Sequence, residues 1–174
     1  RSLGDVHPLG NPHVHMDPVR MTAIAAALAE RLAQLDPAHG EVFRRRAAAF
    51  AAAVEGQLPQ WQARLRGAPG AVLFHQDANY LFYRFDVPLL GFLEPVPGIP
   101  PTAAQVRSLI DRLSGQRGVI LYTPFQPAQA PESLAGALGW PAVRLPLEPP
   151  LGATGSDYLE HLERWVEALA AGAR

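Results

Sequence analysis

The sequence predicts an α/β fold: a four-stranded parallel sheet flanked by helices and preceded by a long helical segment. Short apolar runs bounded by turn residues recur at 71–74, 87–93, 118–122 and 142–145, which fits strands buried on both faces. Helical spacing fills the intervals at 78–85, 102–113 and 133–138, and a closing pattern runs over 156–171. Strand and helix therefore alternate, which implies right-handed crossovers and a sheet whose ligand-binding groups gather at the carboxyl ends of its strands.

The elements follow in order. Residues 1–18 are rich in Gly, Pro, Asn and His without periodicity and read as an ordered loop. Asp17-Pro18 then supplies an N-cap and a first-turn proline, and Met21, Ile24, Ala25, Leu28, Leu32 and Leu35 recur at helical spacing. That helix should end near Asp36-Pro37. A longer pattern over 40–65 carries Val42, Phe43, Ala47, Phe50, Val54, Leu58 and Trp61 on one side; Gly56 and Pro59 predict a bend or break within it. Gly67-Ala68-Pro69-Gly70 separates these helices from the first strand. Trp61, Trp140 and Trp165 read as packing residues.

Composition removes several function classes. The chain has 174 residues, 48% hydrophobic and 18% charged, with a net charge of −1. That suits one domain or one domain plus an appendage and excludes wholesale disorder. It also lacks the cationic footprint of a nucleic-acid binder. The absence of cysteine excludes disulfides, a thiolate metal site and a cysteine nucleophile. All 15 basic residues are Arg, so Schiff-base and Walker-lysine chemistry are missing too. No stretch approaches the ~20 apolar residues of a membrane span. The chain opens on Arg1 rather than Met and reads as a processed or cut piece.

Three of the six histidines crowd into one loop, as His7, His13 and His15. In an extended segment His13 and His15 share a face, a spacing that chelates a borderline metal ion or leaves one ring capping a turn and the other on the surface. His75 falls directly after the first strand, where ligand-binding side chains converge; it is a candidate ligand or the cap of the next helix, a task for which Asp77 competes. Glu94 lies just beyond the second strand, in a loop stiffened by Pro95, Pro97, Pro100 and Pro101. Asp157 opens the last helix as a cap or first-turn charge. His39, between two helices, and His161, on what reads as a solvated face, are set aside as structural, as are Arg44, Arg45 and Arg46. Phosphate loops, His-Glu-x-x-His and Gly-x-Ser-x-Gly elbows are absent from the sequence.

Taken in order, Asn11-Pro12-His13-Val14-His15-Met16-Asp17-Pro18, Phe74-His75 with Tyr80, and Leu93-Glu94-Pro95-Val96-Pro97-Gly98-Ile99-Pro100-Pro101 resemble the zinc/manganese-type periplasmic solute-binding proteins of ABC importers. Members carry an amino-terminal α/β lobe, a long linking helix and a carboxyl-terminal lobe, and this chain resembles the last two parts. The implied organisation is a metal-site loop (1–17), a helical segment with the linking helix (18–66) and the carboxyl-terminal lobe (67–174). Carried over residue by residue, the resemblance implies His13, His75 and Asp157 as metal ligands. The family's first histidine, from the amino-terminal lobe, has no counterpart here. His15 stands where many relatives have Trp.

The resemblance implies extracytoplasmic, periplasmic capture of Zn(II), with Mn(II) as the alternative cargo, and delivery to an ABC permease without catalysis. Two imidazoles and a carboxylate suit Zn(II) better than a hard, oxygen-preferring ion. Two other readings compete. One is a zinc-dependent hydrolase using His13, His15 and His75, with Asp77 or Glu94 as base. The other is a metal-independent interaction module that docks through its proline-stiffened loop.

Overall fold

A computed structural model describes residues 10–94, 96 and 98–172. Two helices, α1 (Pro18–Leu35) and α2 (Gly40–Leu65), precede β1 (Ala71–Leu73), α3 (Asn79–Phe85), β2 (Leu89–Phe92), α4 (Ala103–Leu113), β3 (Val119–Tyr122), α5 (Gln129–Leu138), β4 (Ala142–Arg144) and α6 (Gly155–Ala171). The strands form one four-stranded parallel sheet in the order β2-β1-β3-β4. From β1 the chain turns outward to β2 and later returns past β1 to β3. The loops after β1 and β3 thus diverge and open a crevice at their carboxyl ends.

Burial follows strand position. β1 and β3 are buried throughout and sit at the centre, as their unbroken apolar runs predict. β2 is half-buried and β4 ends on exposed Arg144, because edge strands have one neighbour and one solvent side; the expected two-sided burial does not extend to them. Alternating side chains send Ala71, Leu73, Val119 and Leu121 to one layer with Trp61, Phe82, Leu162 and Trp165. Val72, Phe74, Ile120 and Tyr122 go to the other, with Leu109, Leu113, Leu134 and Trp140. Gly118 lets the Trp140 ring close over the backbone; a Cβ there would lie 2.5 Å from it.

Two local expectations are corrected. α2 runs unbroken through Pro59, whose missing N–H removes one helical bond. Val54, Trp61 and Leu65 are buried around it, and the Trp61 indole donates to Glu163 of α6, so tertiary contacts hold both sides of the proline. His161 is buried rather than solvated: it shares the inner face of α6 with Tyr158, Leu162 and Trp165, and its Nε2 lies 3.0 Å from the Leu147 carbonyl oxygen.

Residues 10–17 pack onto this framework at its carboxyl edge. Asp17 caps α1 by accepting from the amides of Val19 (3.0 Å) and Arg20 (3.3 Å), as its place before Pro18 predicts. Its carboxylate also receives Arg84 of α3 through two bonds of 2.9 and 2.8 Å. The Tyr158 hydroxyl donates to the His15 carbonyl at 2.7 Å, joining the same segment to α6.

Asp17→Ala removes a cap and a buried partner of Arg84, and should cost about 2–4 kcal/mol in urea unfolding. Asp17→Asn keeps a cap acceptor and should cost less; equal losses would show that the cap contributes nothing. Burial lowers the pKa of His161, so the native state resists a proton that the unfolded chain accepts below ~6.5. Stability should therefore fall as pH drops below that value, and His161→Gln should flatten the slope in thermal melts across pH 5–7.

Candidate metal centre

His75 enters the crevice because β1 ends at Leu73 and the ladder continues one step beyond it. Leu93 N donates to the Leu73 carbonyl and Glu94 N to that of Phe74, each at 2.9 Å, so the chain leaving β2 places Glu94 beside His75. The His75 Nδ1 pairs with Glu94 Oε2. The other carboxylate oxygen, Oε1, accepts from the Gly98 amide at 2.7 Å, where a φ of +81° suits glycine. Glu94 thereby joins the His75 ring to the Gly98 amide in the segment after β2.

His13 reaches the same crevice through Asn11. The Asn11 side-chain oxygen accepts from the His13 amide at 2.9 Å and lies 2.7 Å from His13 Nδ1. Its Nδ2 donates to the Gln76 carbonyl at 2.6 Å, and its own carbonyl accepts from the Tyr80 hydroxyl at 2.9 Å. One asparagine therefore orients the ring and binds its loop to the turn after His75. The His13 and His75 ring centres lie 5.9 Å apart with planes at 79°. Two imidazoles sharing one Zn(II) at ~2.0–2.1 Å per nitrogen and a tetrahedral angle have centres about 5 Å apart, so a small shift would let both rings reach one ion. With Nδ1 engaged in each ring, the nitrogen facing a metal is Nε2, and the carboxylate or amide behind it fixes the tautomer.

The surrounding polar groups divide into neighbours and outliers. The His15 ring lies 6.1 Å from His13. It is packed toward the chain after β4, its Nε2 buried without a hydrogen-bond partner. Burial lowers its pKa, partly offset by the Leu147 carbonyl and the charge of Glu148, which also acts on His161. Beneath His75, Asp77 is buried and accepts from Gln126 Nε2 at 3.1 Å. Burial pushes its carboxyl up to about 6 although the nearby His75 opposes the shift. Asp157 is engaged elsewhere: its Oδ2 accepts from the Thr154 amide (2.7 Å) and hydroxyl (2.6 Å) in a capping box, which lowers its pKa. His39 pairs with Asp36, and Arg44 with Glu30 and Glu41, all on the surface as expected. His7 lies outside the described residues.

The structure thus brings His13 and His75 together, with Glu94 behind one ring, and gives Asp157 a capping task at the start of α6. Among the described residues, no group of three or more His, Cys, Asp or Glu side chains is arranged to hold a metal ion. Sequence reasoning missed Gln126 and Glu148; position in the loops after β3 and β4 was the available signal, since both follow strand carboxyl ends. No helix among the described residues is long and apolar enough to cross a membrane.

Comparison with known proteins shows the family and the fold. The family described as ZnuA, zinc-uptake complex component A, periplasmic, matches residues 3–172. The high-affinity zinc uptake system protein ZnuA of Brucella abortus is 22% identical over 147 residues, covering 83% of this chain and 43% of that protein. The chain therefore spans less than half the length of the curated relatives it matches. The laminin-binding protein Lmb of Streptococcus agalactiae, described as a bifunctional protein with adhesin and metal transporting activity, superposes with a TM-score of 0.78 at 26% identity over 95% of this chain and 67% of its own. The solute-binding protein FpvC of Pseudomonas aeruginosa, solved with Mn2+, gives 0.77 at 24% identity over 93% and 62%. The descriptions of these relatives name metal uptake and transport, and the hydrolase alternative draws no support from them. With the family matched over residues 3–172 and the parallel α/β lobe shared with these neighbours, the chain belongs to the ZnuA family of periplasmic zinc-uptake components.

Proposed function

We propose that this chain captures a divalent transition metal outside the cytoplasm, Zn(II) in preference to Mn(II), and that the metal passes on to the permease of an ABC importer. The observation that carries this reading is the pairing of His13 and His75, whose Nδ1 atoms are tied to Asn11 and Glu94. An imidazole held this way is pre-organised as a neutral Nε2 ligand, with its orientation fixed by the group behind it. Nitrogen donors favour Zn(II) over the harder Mn(II), although the Mn2+ found with FpvC makes Mn(II) the natural competitor.

His13 and His75 are the proposed ligands. Asp157, the carboxylate implied by the sequence resemblance, would have to leave Thr154 to join them. Glu148 is the alternative carboxylate, because its charge already acts on His15 beside His13. Binding and release suit a transport protein better than a hydrolase: nothing in the arrangement assigns Asp77 or Glu94 a base's role, since Glu94 is engaged by His75 and Gly98, and Asp77 by Gln126.

Metal analysis of chain purified with equimolar Zn(II) and Mn(II) should find zinc. His13→Ala and His75→Ala should each retain less than about a tenth of it, whereas unchanged content in both would overturn the site. Glu94→Gln keeps the shape and loses the charge, and should weaken zinc about 10–100-fold. Asp157→Asn and Glu148→Gln, compared side by side, identify the carboxylate by which one lowers affinity. Protons compete with the metal for each imidazole, so zinc affinity should fall steeply from pH 7.5 to pH 5. Equal affinity at the two pH values would contradict ligation by histidine.

A further inference from the structure

Residues 11–20 carry His13 and lead into α1, and one side chain of α3 meets both ends of this segment. The Tyr80 hydroxyl donates to the Asn11 carbonyl at 2.9 Å, and the Arg20 guanidinium lies over the Tyr80 ring, 4.8 Å from its centre. Between Asn11 and Arg20 stand His13, His15 and the cap Asp17. Arg20 is aimed by that cap, since its Nε lies 3.2 Å from Asp17 Oδ2. A guanidinium over an aromatic face is attracted by the negative charge of the ring's π-system, so the contact orients cation and ring together.

Tyr80 is also fixed relative to His75. It stands in the first turn of α3, which the chain enters from His75 through the turn at 76–78. Arg84, one helical turn beyond Tyr80 on the same face, donates to Asp17 at 2.8 Å. The helix that follows His75 thus grips the His13 segment at its entry and at its exit. The grip at the entry bears on the His13 ring itself. The carbonyl that Tyr80 holds belongs to Asn11, whose side-chain oxygen accepts from the His13 amide at 2.9 Å and lies 2.7 Å from His13 Nδ1. Fixing the Asn11 carbonyl fixes the residue from which the His13 ring is oriented.

We propose that Tyr80 is a positioning residue for metal capture: with Asn11 held by its hydroxyl and Arg20 on its face, it keeps the His13 ring beside His75 for one shared ion. This rests on the metal capture proposed above. Without the hydroxyl, a smaller fraction of chains holds His13 in place before the metal arrives, and apparent affinity falls by that fraction.

Zinc titrations of the full chain and of Tyr80→Phe, repeated in a His13→Ala background, test it. Tyr80→Phe keeps the ring and removes one oxygen, and should weaken zinc about tenfold. In the His13→Ala background the same substitution should change affinity about twofold or less, because a residue that acts through His13 has nothing left to position. Arg20→Met should weaken zinc about two- to fivefold; unchanged affinity there would overturn the grip at the exit. Equal affinity of Tyr80→Phe and the unaltered chain would overturn the proposal, and so would an equal loss in both backgrounds, which marks a purely structural role. Nitrogen–proton NMR of the metal-free chains separates positioning from metal capture. Tyr80→Phe should move the His13 ring signals and leave those of His161 in place; unmoved His13 signals would overturn the positioning role. An unaltered chain that binds no zinc would overturn metal capture.

Discussion

The candidate site depends on how residues 10–17 are held against the sheet, and Asn11 links that hold to the His13 ring. This segment shares no ladder with any strand. Its position comes from side-chain bonds: Asn11 to Gln76, Tyr80 to Asn11, Arg84 to Asp17 and Tyr158 to His15. Each spans a large sequence distance, so each carries a loop-closure cost that packing of Met16 into the core helps to offset. Asn11 serves two ends at once. The amide that grips the turn after His75 also fixes the His13 ring, so docking the loop and orienting the ligand are one event.

The sheet provides the other half of the constraint. Because β1 lies between β2 and β3, the residue that follows it emerges at the point where connections part in opposite directions. Glu94 arrives there from β2 and Gln126 from β3, and both act on groups around His75, one on its Nδ1 and one on Asp77 beneath it. Three loops thus converge on one imidazole without any of them being long. Rigid positioning of this kind raises metal affinity by lowering the cost of assembling ligands.

Much of this was legible in the sequence where the physics is local. Asp17-Pro18 marked the start of α1 because capping involves neighbours in the chain, and the apolar runs marked β1 and β3 because burial on two faces leaves no polar alternation. Edge strands were harder, since the sequence does not say which strand lacks a neighbour. Gly56 and Pro59 argued for a bend or break, and the helix continues without a break because Trp61 and Leu65 are packed in the core on the far side of the proline. His161 looked outward through its neighbours Glu160 and Arg164, yet helical spacing from Tyr158 to Trp165 turns it inward. For the site, the motifs identified His13 and His75 as a pair. The local capping signal around Asp157, present in the sequence, describes its observed contacts, while the nearness of Glu148 to His15 depended on the path of the chain after β4.

In the proposed site, Asn11 and Glu94 hold His13 and His75 so that both present Nε2 to a single metal ion. Long-range nitrogen–proton NMR of the imidazoles, recorded before and after one addition of zinc, tests it most directly, because it reports tautomer and ligation ring by ring. Nδ1-protonated rings are expected for His13 and His75 in both states, with zinc shifting the Nε2 resonances of those two rings together. Zinc shifting neither ring, or binding through Nδ1, would contradict it.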